Sequence, residues 1–448
     1  MKRADSYQSK MMQFVIVFLP IFITQVALIS AGFFDTVMAG NCSEYDLAGV
    51  AIGANLFFPV FGGIVGVISG LTPIIAQLHG AGKKEDLPFI VIQGIYLAFG
   101  IGIVFTIIGA LLLNPILHYM NLEPKVEQIA TGYLQALAFG FCPILVASVL
   151  RNFIDALGYT RMTMLITICS VPVNIFMNYL FIFGKYGFPQ LGGVGAGVGS
   201  AITYWVVLLL NIIVVYYVKP FSGYHVFSKF FKISFKTWKE QLGIGVPIGS
   251  AMFCEQSIFG AVGLFMAAYG TGIIAAHQAA LNFTTMVYMI PLSISMTLTI
   301  LVGFEVGAKR FSDAKKYSRM GIVLSILFSG TAALILMHFK PEIAALYTND
   351  EAVWGLIQLF LAYAILLQFS DSVSAPLQGI LRGYKDVKIT LYLAILSYWI
   401  IGLPTGYVLA NAYDYGPYGY WIGLIVGIAV GAVFLLARMY QVQKNKFA

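Results

Sequence analysis

The chain has 448 residues, 59% of them hydrophobic and only 10% charged, with a formal net charge of +7. This balance excludes a soluble globular protein and points to a polytopic all-α membrane protein. The apolar runs do not alternate with polar residues, which excludes a transmembrane β-barrel, and the basic residues lie in short loops rather than in one stripe, which excludes a nucleic-acid surface.

Hydropathy predicts twelve spans, at roughly 11–38, 46–70, 88–113, 129–155, 160–184, 193–218, 241–269, 273–300, 317–337, 352–381, 387–410 and 418–438. The ten residues before the first span are polar and are followed by no small-residue cleavage site, so no signal peptide is expected. Two loops stand out, His79-Gly-Ala-Gly-Lys-Lys-Glu-Asp86 and Gly307-Ala-Lys-Arg-Phe-Ser-Asp-Ala-Lys316. The longest hydrophilic stretch, 219–240, carries Lys219, Lys229, Lys232, Lys236 and Lys239 and is expected to lie on the membrane surface as an amphipathic helix. It divides the chain into an N-lobe, 1–218, and a C-lobe, 241–448.

An even number of spans puts both termini on one side. Of the 26 Lys and Arg residues, 23 fall on that side and only Lys125, Lys185 and Lys340 on the other. The positive-inside rule makes the termini and the 219–240 linker cytoplasmic, in a multi-pass protein of the cell membrane.

The halves resemble each other. Pro20 and Pro247, Asn55 and Asn282, and the pairs Gly80-Ala81 and Gly307-Ala308 are each 227 residues apart; Gly158-Tyr159 and Gly383-Tyr384 match at 225. Six spans precede the second half, so the repeat is parallel, and a central cavity is expected between the six-helix lobes.

Most of the 19 acidic residues fall in loops or at span ends; three do not: Asp35, Glu255 and Asp371. An ionised side chain in hydrocarbon costs several kcal/mol, and intramembrane acids mark ion pathways by default. Capping of a helix end is the plain alternative for Asp35, which lies toward the outer end of its span. Asp155, with Arg151 four residues back, and Glu305, near Lys309, read instead as structural ion pairs. No span offers a Lys or Arg to pair with the three acids. Each carboxyl is therefore expected to be protonated or to hold a cation from outside, either of which makes it a site where H⁺ or Na⁺ comes and goes. Na⁺ takes hard oxygen ligands. Asn174 and Asn178, one turn apart on one face, are placed to supply them beside Asp35, with hydrogen bonding between helices as the alternative. Tyr288 and Phe259 are candidates to face Glu255 and Asp371 with a hydroxyl or a ring, with plain packing as the alternative.

Other chemistry is thin. No zinc-binding His pattern and no Walker A sequence occurs, and Gly192-Gly-Val-Gly-Ala-Gly-Val-Gly199 opens a span without a preceding strand, so it reads as close helix packing. Cys42, Cys142, Cys169 and Cys254 show no paired spacing; three of them lie in spans and read as small buried hydrophobes. No enzyme and no cofactor is indicated.

Phe33-Phe-Asp-Thr-Val-Met-Ala-Gly40, Val171-Pro-Val-Asn-Ile-Phe-Met-Asn-Tyr179, Gly187-Phe-Pro-Gln-Leu-Gly-Gly-Val-Gly-Ala-Gly197 and Leu381-Arg-Gly-Tyr-Lys-Asp386, set in twelve spans, resemble the multidrug and toxic compound extrusion (MATE) family over essentially the whole chain. Glu255 together with Asp371 resembles its NorM-type branch. The resemblance implies secondary antiport by a monomer in the bilayer, exporting small organic, often cationic, compounds against an inward Na⁺ or H⁺ gradient by alternating access. It implies an N-lobe cation site of Asp35, Asn174 and Asn178. In the C-lobe it implies Glu255, Asp371 and Tyr288, with Phe259 beside them and Na⁺ held by the two acids. Where the resemblance calls for an aromatic one turn before Asp371, the sequence has Leu367, with Tyr363 a turn further back. A flippase for a lipid-linked precursor is the rival within a similar two-lobed scaffold. It would need a strongly basic cavity, and the few Lys and Arg within the span bounds, such as Arg151, lie near span ends.

Overall fold

A computed structural model of the chain describes residues 3–447. Among them there is no β-strand, and twelve helices are long and apolar enough to cross a bilayer: α1 Tyr7–Gly40, α2 Glu44–Gly80, α3 Lys84–Tyr119, α4 Pro124–Ala156, α5 Thr160–Phe183, α6 Gly193–Tyr217, α7 Phe235–Tyr269, α8 Thr271–Gly307, α9 Phe311–Ala345, α10 Glu351–Gly383, α11 Val387–Asn411 and α12 Pro417–Asn445. Each coincides with a predicted span, and most run past it. Hydropathy detects only the stretch inside hydrocarbon, about 20 residues, whereas the backbone hydrogen-bond ladder continues through the headgroup layer. Proline is tolerated inside these helices, as at Pro20 and Pro247, because the rest of the ladder remains closed.

The repeat is more regular than the sequence matches suggest. Helix α2 maps onto α8, and α4 onto α10, at both ends with an offset of 227. The corners agree too. Gly82 (φ 73°) and Lys309 (φ 58°) both take the left-handed conformation, and so do Gly158 (φ 87°) and Lys385 (φ 61°). The 225 offset drawn from Gly158-Tyr159 and Gly383-Tyr384 is therefore a chance match of residue types. The backbone register there is still 227, which pairs Gly158 with Lys385.

The chain forms two compact units. One is Leu19–Gly245; the other is the chain from Val246 on, together with the segment that ends at Phe18. In the first, α4 is central, packing on α2, α3 and α6. In the second, α10 takes the same part, packing on α8, α9 and α12. The start of α1 is fixed within the second unit by Lys10 Nζ–Asp313 Oδ1 at 3.1 Å, by Tyr317 donating to Gln13 Oε1 at 2.6 Å, and by a Phe18–Phe328 stack.

Small residues set the close helix approaches, since in lipid the gain comes from packing rather than from expelling water. A Cβ on Gly423 of α12 would lie 2.5 Å from the Gly406 Cα on α11. The glycine run that opens α6 packs as expected: Gly195 abuts the Phe181 carbonyl and Gly197 the Tyr133 carbonyl.

Three expectations are corrected. The 219–240 stretch does not form a surface helix. It makes a short 3-10 turn at Phe221–Tyr224, stays irregular, and enters α7 at Phe235. Pro220 and Gly223 disfavour a longer helix, and Gln93 of α3 pins the irregular part by donating to Lys232 O at 2.7 Å and accepting from Ser234 N at 2.9 Å. Glu305 pairs with Arg310 at 2.5 Å rather than with Lys309, whose left-handed backbone turns the chain there. The four cysteines are free, but none is fully buried: Cys42, Cys142 and Cys254 are partly exposed and Cys169 is exposed on its helix.

Candidate functional site

In the first unit, Asp35 sits on α1 within a polar cluster of two other helices. Asn178 Nδ2 donates to Asp35 Oδ1 at 2.5 Å, and Ser200 Oγ of α6 donates to Asp35 Oδ2 at 3.2 Å. Asn174 and Asn178 are linked at 3.4 Å on one face of α5, and Asn174 Nδ2 reaches Ser200 Oγ at 3.4 Å. Asn174, Asn178 and Ser200 are all buried, and Asn178 Oδ1 has no hydrogen-bond partner among the described residues. Gly199 makes room for that amide, because a Cβ there would come within 2.3 Å of Asn178 Oδ1. Tyr133 and Tyr204 lie within electrostatic reach of the Asp35 carboxylate. No Lys or Arg forms an ion pair with Asp35 among the described residues. The structure brings Asp35, Asn174 and Asn178 together.

In the second unit, Tyr288 of α8 donates its hydroxyl to Glu255 Oε1 at 3.1 Å. Asp371 of α10 is 4% exposed, and its carboxylate accepts no hydrogen bond among the described residues; the charge acting on it is that of Glu255. Two acids close enough to repel, one of them bonded by a phenol, form a pair suited to a positive guest. Phe259 is half-buried and packs against the apolar core of this unit. Leu367 is fully buried, and Tyr363 is stacked on Tyr418 with ring centroids 5.8 Å apart.

The expectation that no cation serves these acids needs correction. Helix α10 continues to Gly383 and carries Arg382, which the predicted span leaves outside. Arg382 is half-buried and donates to Gln378 Oε1 at 3.3 Å. Its charge acts on Glu255, which Gln378 also contacts, but no direct ion pair forms among the described residues.

Sequence reasoning missed Ser200, Tyr204, Tyr133, Gln378, Arg382 and Tyr398. Tyr398, 4% exposed, lies within electrostatic reach of both Glu255 and Asp371. It sits in a wide π-helical turn of α11, Ile395–Gly402, next to Trp399, which donates to the Cys254 carbonyl at 3.2 Å. Inserted turns of this kind cluster at functional sites and leave no periodic signal in sequence. The other misses are small or singly polar residues that a hydropathy trace does not distinguish.

Comparison with known proteins gives a consistent result. The sequence profile of the family described as MatE matches this chain twice, over 20–180 and 247–408, with starts 227 residues apart. A protein of Halalkalibacterium halodurans named "Probable multidrug resistance protein NorM" is 52% identical over 99% of this chain and 97% of its own length. A protein of Bacillus subtilis with the same name is 50% identical over 99% and 98%. Among solved structures, a eukaryotic MATE transporter, AtDTX14, superposes with a TM-score of 0.88 at 20% identity, covering 99% of each chain. The Vibrio cholerae MATE transporter VcmN in its bent form gives 0.86 at 18% identity over 98% of each. At those identities the structures establish a shared fold.

Proposed function

This chain belongs to the MatE family of multidrug and toxic compound extrusion transporters, and from that premise we propose that it is a cation-coupled antiporter that exports small organic, often cationic, compounds in exchange for Na⁺ or H⁺. It is a transporter with multidrug-efflux relatives and not an enzyme.

One observation carries the coupling. Each compact unit holds a carboxylate cluster on bilayer-spanning helices, without a directly paired cation among the described residues. In hydrocarbon such acids are stable only when protonated or holding a positive guest. Oxygens of Asp35, Asn174, Asn178 and Ser200 are the hard donors a Na⁺ ion takes, and the same carboxylate can take a proton instead. Glu255 and Asp371 form the second site, with Tyr288 positioning Glu255. The chain cycles between states open to either side. The coupling cation binds one of them more tightly, and only that differential affinity can displace a bound drug. The distribution of Lys and Arg supports a place in the cell membrane with both termini cytoplasmic.

Dye efflux from proteoliposomes under an imposed Na⁺ gradient at fixed pH tests this. Asp35→Asn, Glu255→Gln and Asp371→Asn are each expected to lower gradient-driven efflux at least about tenfold, the effect of losing roughly 1.4 kcal/mol of coupling. If all three variants transport as well as the native chain, the proposal is wrong. A proton gradient at fixed Na⁺ separates the two coupling ions.

A further inference from the structure

At the end of the first unit where α3 begins and α6 has just ended lies a cleft of about 640 Å³, open to the surface, lined in part by Lys84, Glu85, Pro88, His225, Lys229 and Phe231. We propose that this cleft binds the headgroup of an anionic phospholipid from the adjacent leaflet.

The first argument is charge. Lys84 comes from the start of α3, and His225 and Lys229 come from the irregular stretch after α6, so two chain segments converge basic groups on one concavity. Glu85 is the one acid among its walls, and neither Lys84 nor Lys229 forms an ion pair among the described residues. The equivalent corner of the second unit differs. There, at the 227 register, Phe311 takes the place of Lys84, so this cation belongs to the first unit alone. Basic pockets at the ends of spanning helices bind phosphate-bearing headgroups, each cation contributing about a factor of five in affinity.

The second argument is what surrounds the charge. Phe230 is 90% exposed, Phe235 75% and Ile233 53%, interleaved with Lys229, Lys232 and Lys236. These side chains are not on a loose loop. Gln93 holds the backbone on both sides of Ile233, Tyr96 donates to Phe231 O at 3.2 Å, and Phe231 packs edge-on against Phe89 at 5.4 Å. All of this occurs where α3 starts and α6 has just ended, the level at which aromatic side chains enter the headgroup layer. A soluble anion would have no use for Phe230 and Ile233; a phospholipid has acyl chains to lay against them. This contrast selects the lipid over free phosphate.

The test uses the full chain purified in mild detergent, with lipid retention read by native mass spectrometry and melting followed with added phosphatidylglycerol, phosphatidylcholine or millimolar inorganic phosphate. The native chain is expected to keep one phosphatidylglycerol and to melt higher with that lipid than with phosphatidylcholine or phosphate. Changing Lys84→Gln, His225→Gln and Lys229→Gln together should weaken retention at least about twenty-five-fold, the share of the two lysines, while leaving melting in phosphatidylcholine unchanged. Lys229→Gln alone, which disturbs folding least, should weaken it about fivefold. Phe230→Ser with Ile233→Ser should also release the lipid. Full retention in Lys229→Gln and in the triple variant overturns the site. Protection by phosphate equal to that by phosphatidylglycerol, with retention indifferent to Phe230 and Ile233, overturns the lipid and leaves a free-anion site.

Discussion

Gly379 lies so close to the carbonyl of Ser295 that a Cβ on it would stand 2.1 Å from that oxygen. Exactly one repeat earlier in register, at the offset of 227, Asn152 faces Ile68, and there the amide Nδ2 donates to the Ile68 carbonyl at 3.2 Å. The two central helices thus solve one contact in two ways, by bare backbone in α10 and by a side-chain hydrogen bond in α4. Gly379→Ala should therefore be the severe change, forcing α8 and α10 apart at a cost of about 1–3 kcal/mol. Asn152→Ala should cost about 1 kcal/mol, the worth of one hydrogen bond. Melting followed by size-exclusion chromatography ranks them, and an Asn152→Ala protein less stable than Gly379→Ala contradicts the account.

The Asp35 cluster depends on Gly199. A methyl placed there meets Asn178 Oδ1 at 2.3 Å, so Gly199→Ala should push the amide away from Asp35 without touching either group chemically. Gradient-driven efflux is expected to drop about tenfold while the protein still folds, because Ser200 continues to bond Asp35. Transport at the native rate in a folded Gly199→Ala protein would show that the Asn178–Asp35 contact is dispensable.

Arg382 opposes cation binding at Glu255, since its charge acts on the same carboxylate. Removing it with Arg382→Gln should tighten the hold on the coupling ion by about 1–2 kcal/mol, on the Coulomb scale for half-buried charges. The sign is the useful part: half-saturating Na⁺ in the efflux assay should fall, in contrast to the loss expected for Glu255→Gln. An unchanged or higher half-saturating concentration would remove Arg382 from the site.

Gln93 is fully buried and clamps the segment between the units' two helix sets at Lys232 and Ser234. Gln93→Leu removes both bonds and leaves those backbone groups to water, so the stretch around Lys229 and Lys232 should open more often. Limited trypsin digestion is expected to cut there faster in the variant than in the native chain, with two fragments of nearly half-length each. Equal digestion rates would mean that the remaining Tyr96 and Phe231 contacts suffice.

The spans were legible in sequence because hydrocarbon sets a minimum apolar length, and the three acids because charge stands out against it. Asn174 and Asn178 followed from helical spacing alone. Ser200, by contrast, is one hydroxyl in a glycine-rich helix and becomes a partner of Asp35 only when α6 is laid against α1 and α5. Arg382 was assigned to a loop because hydropathy stops at the first charge, while the helix carries on and swings that charge inward. Tyr398 depends on a wide turn that no periodicity announces. Spaced lysines and aromatics make 225–234 imitate an amphipathic helix, and only the tertiary clamp from Gln93 reveals that its path is irregular instead.

The matching corners at Gly82 and Lys309, and at Gly158 and Lys385, carry a consequence for how the chain inserts. A side chain in the left-handed conformation forgoes roughly 1–2 kcal/mol that glycine does not. In the later half both of these tight corners are lysines, so positive charge that orients the nascent chain during membrane insertion is stationed on its least comfortable backbone. Glycine at 309 or 385 would relax the finished protein and, at the same stroke, thin the charge that tells the translocation machinery which way round to thread it.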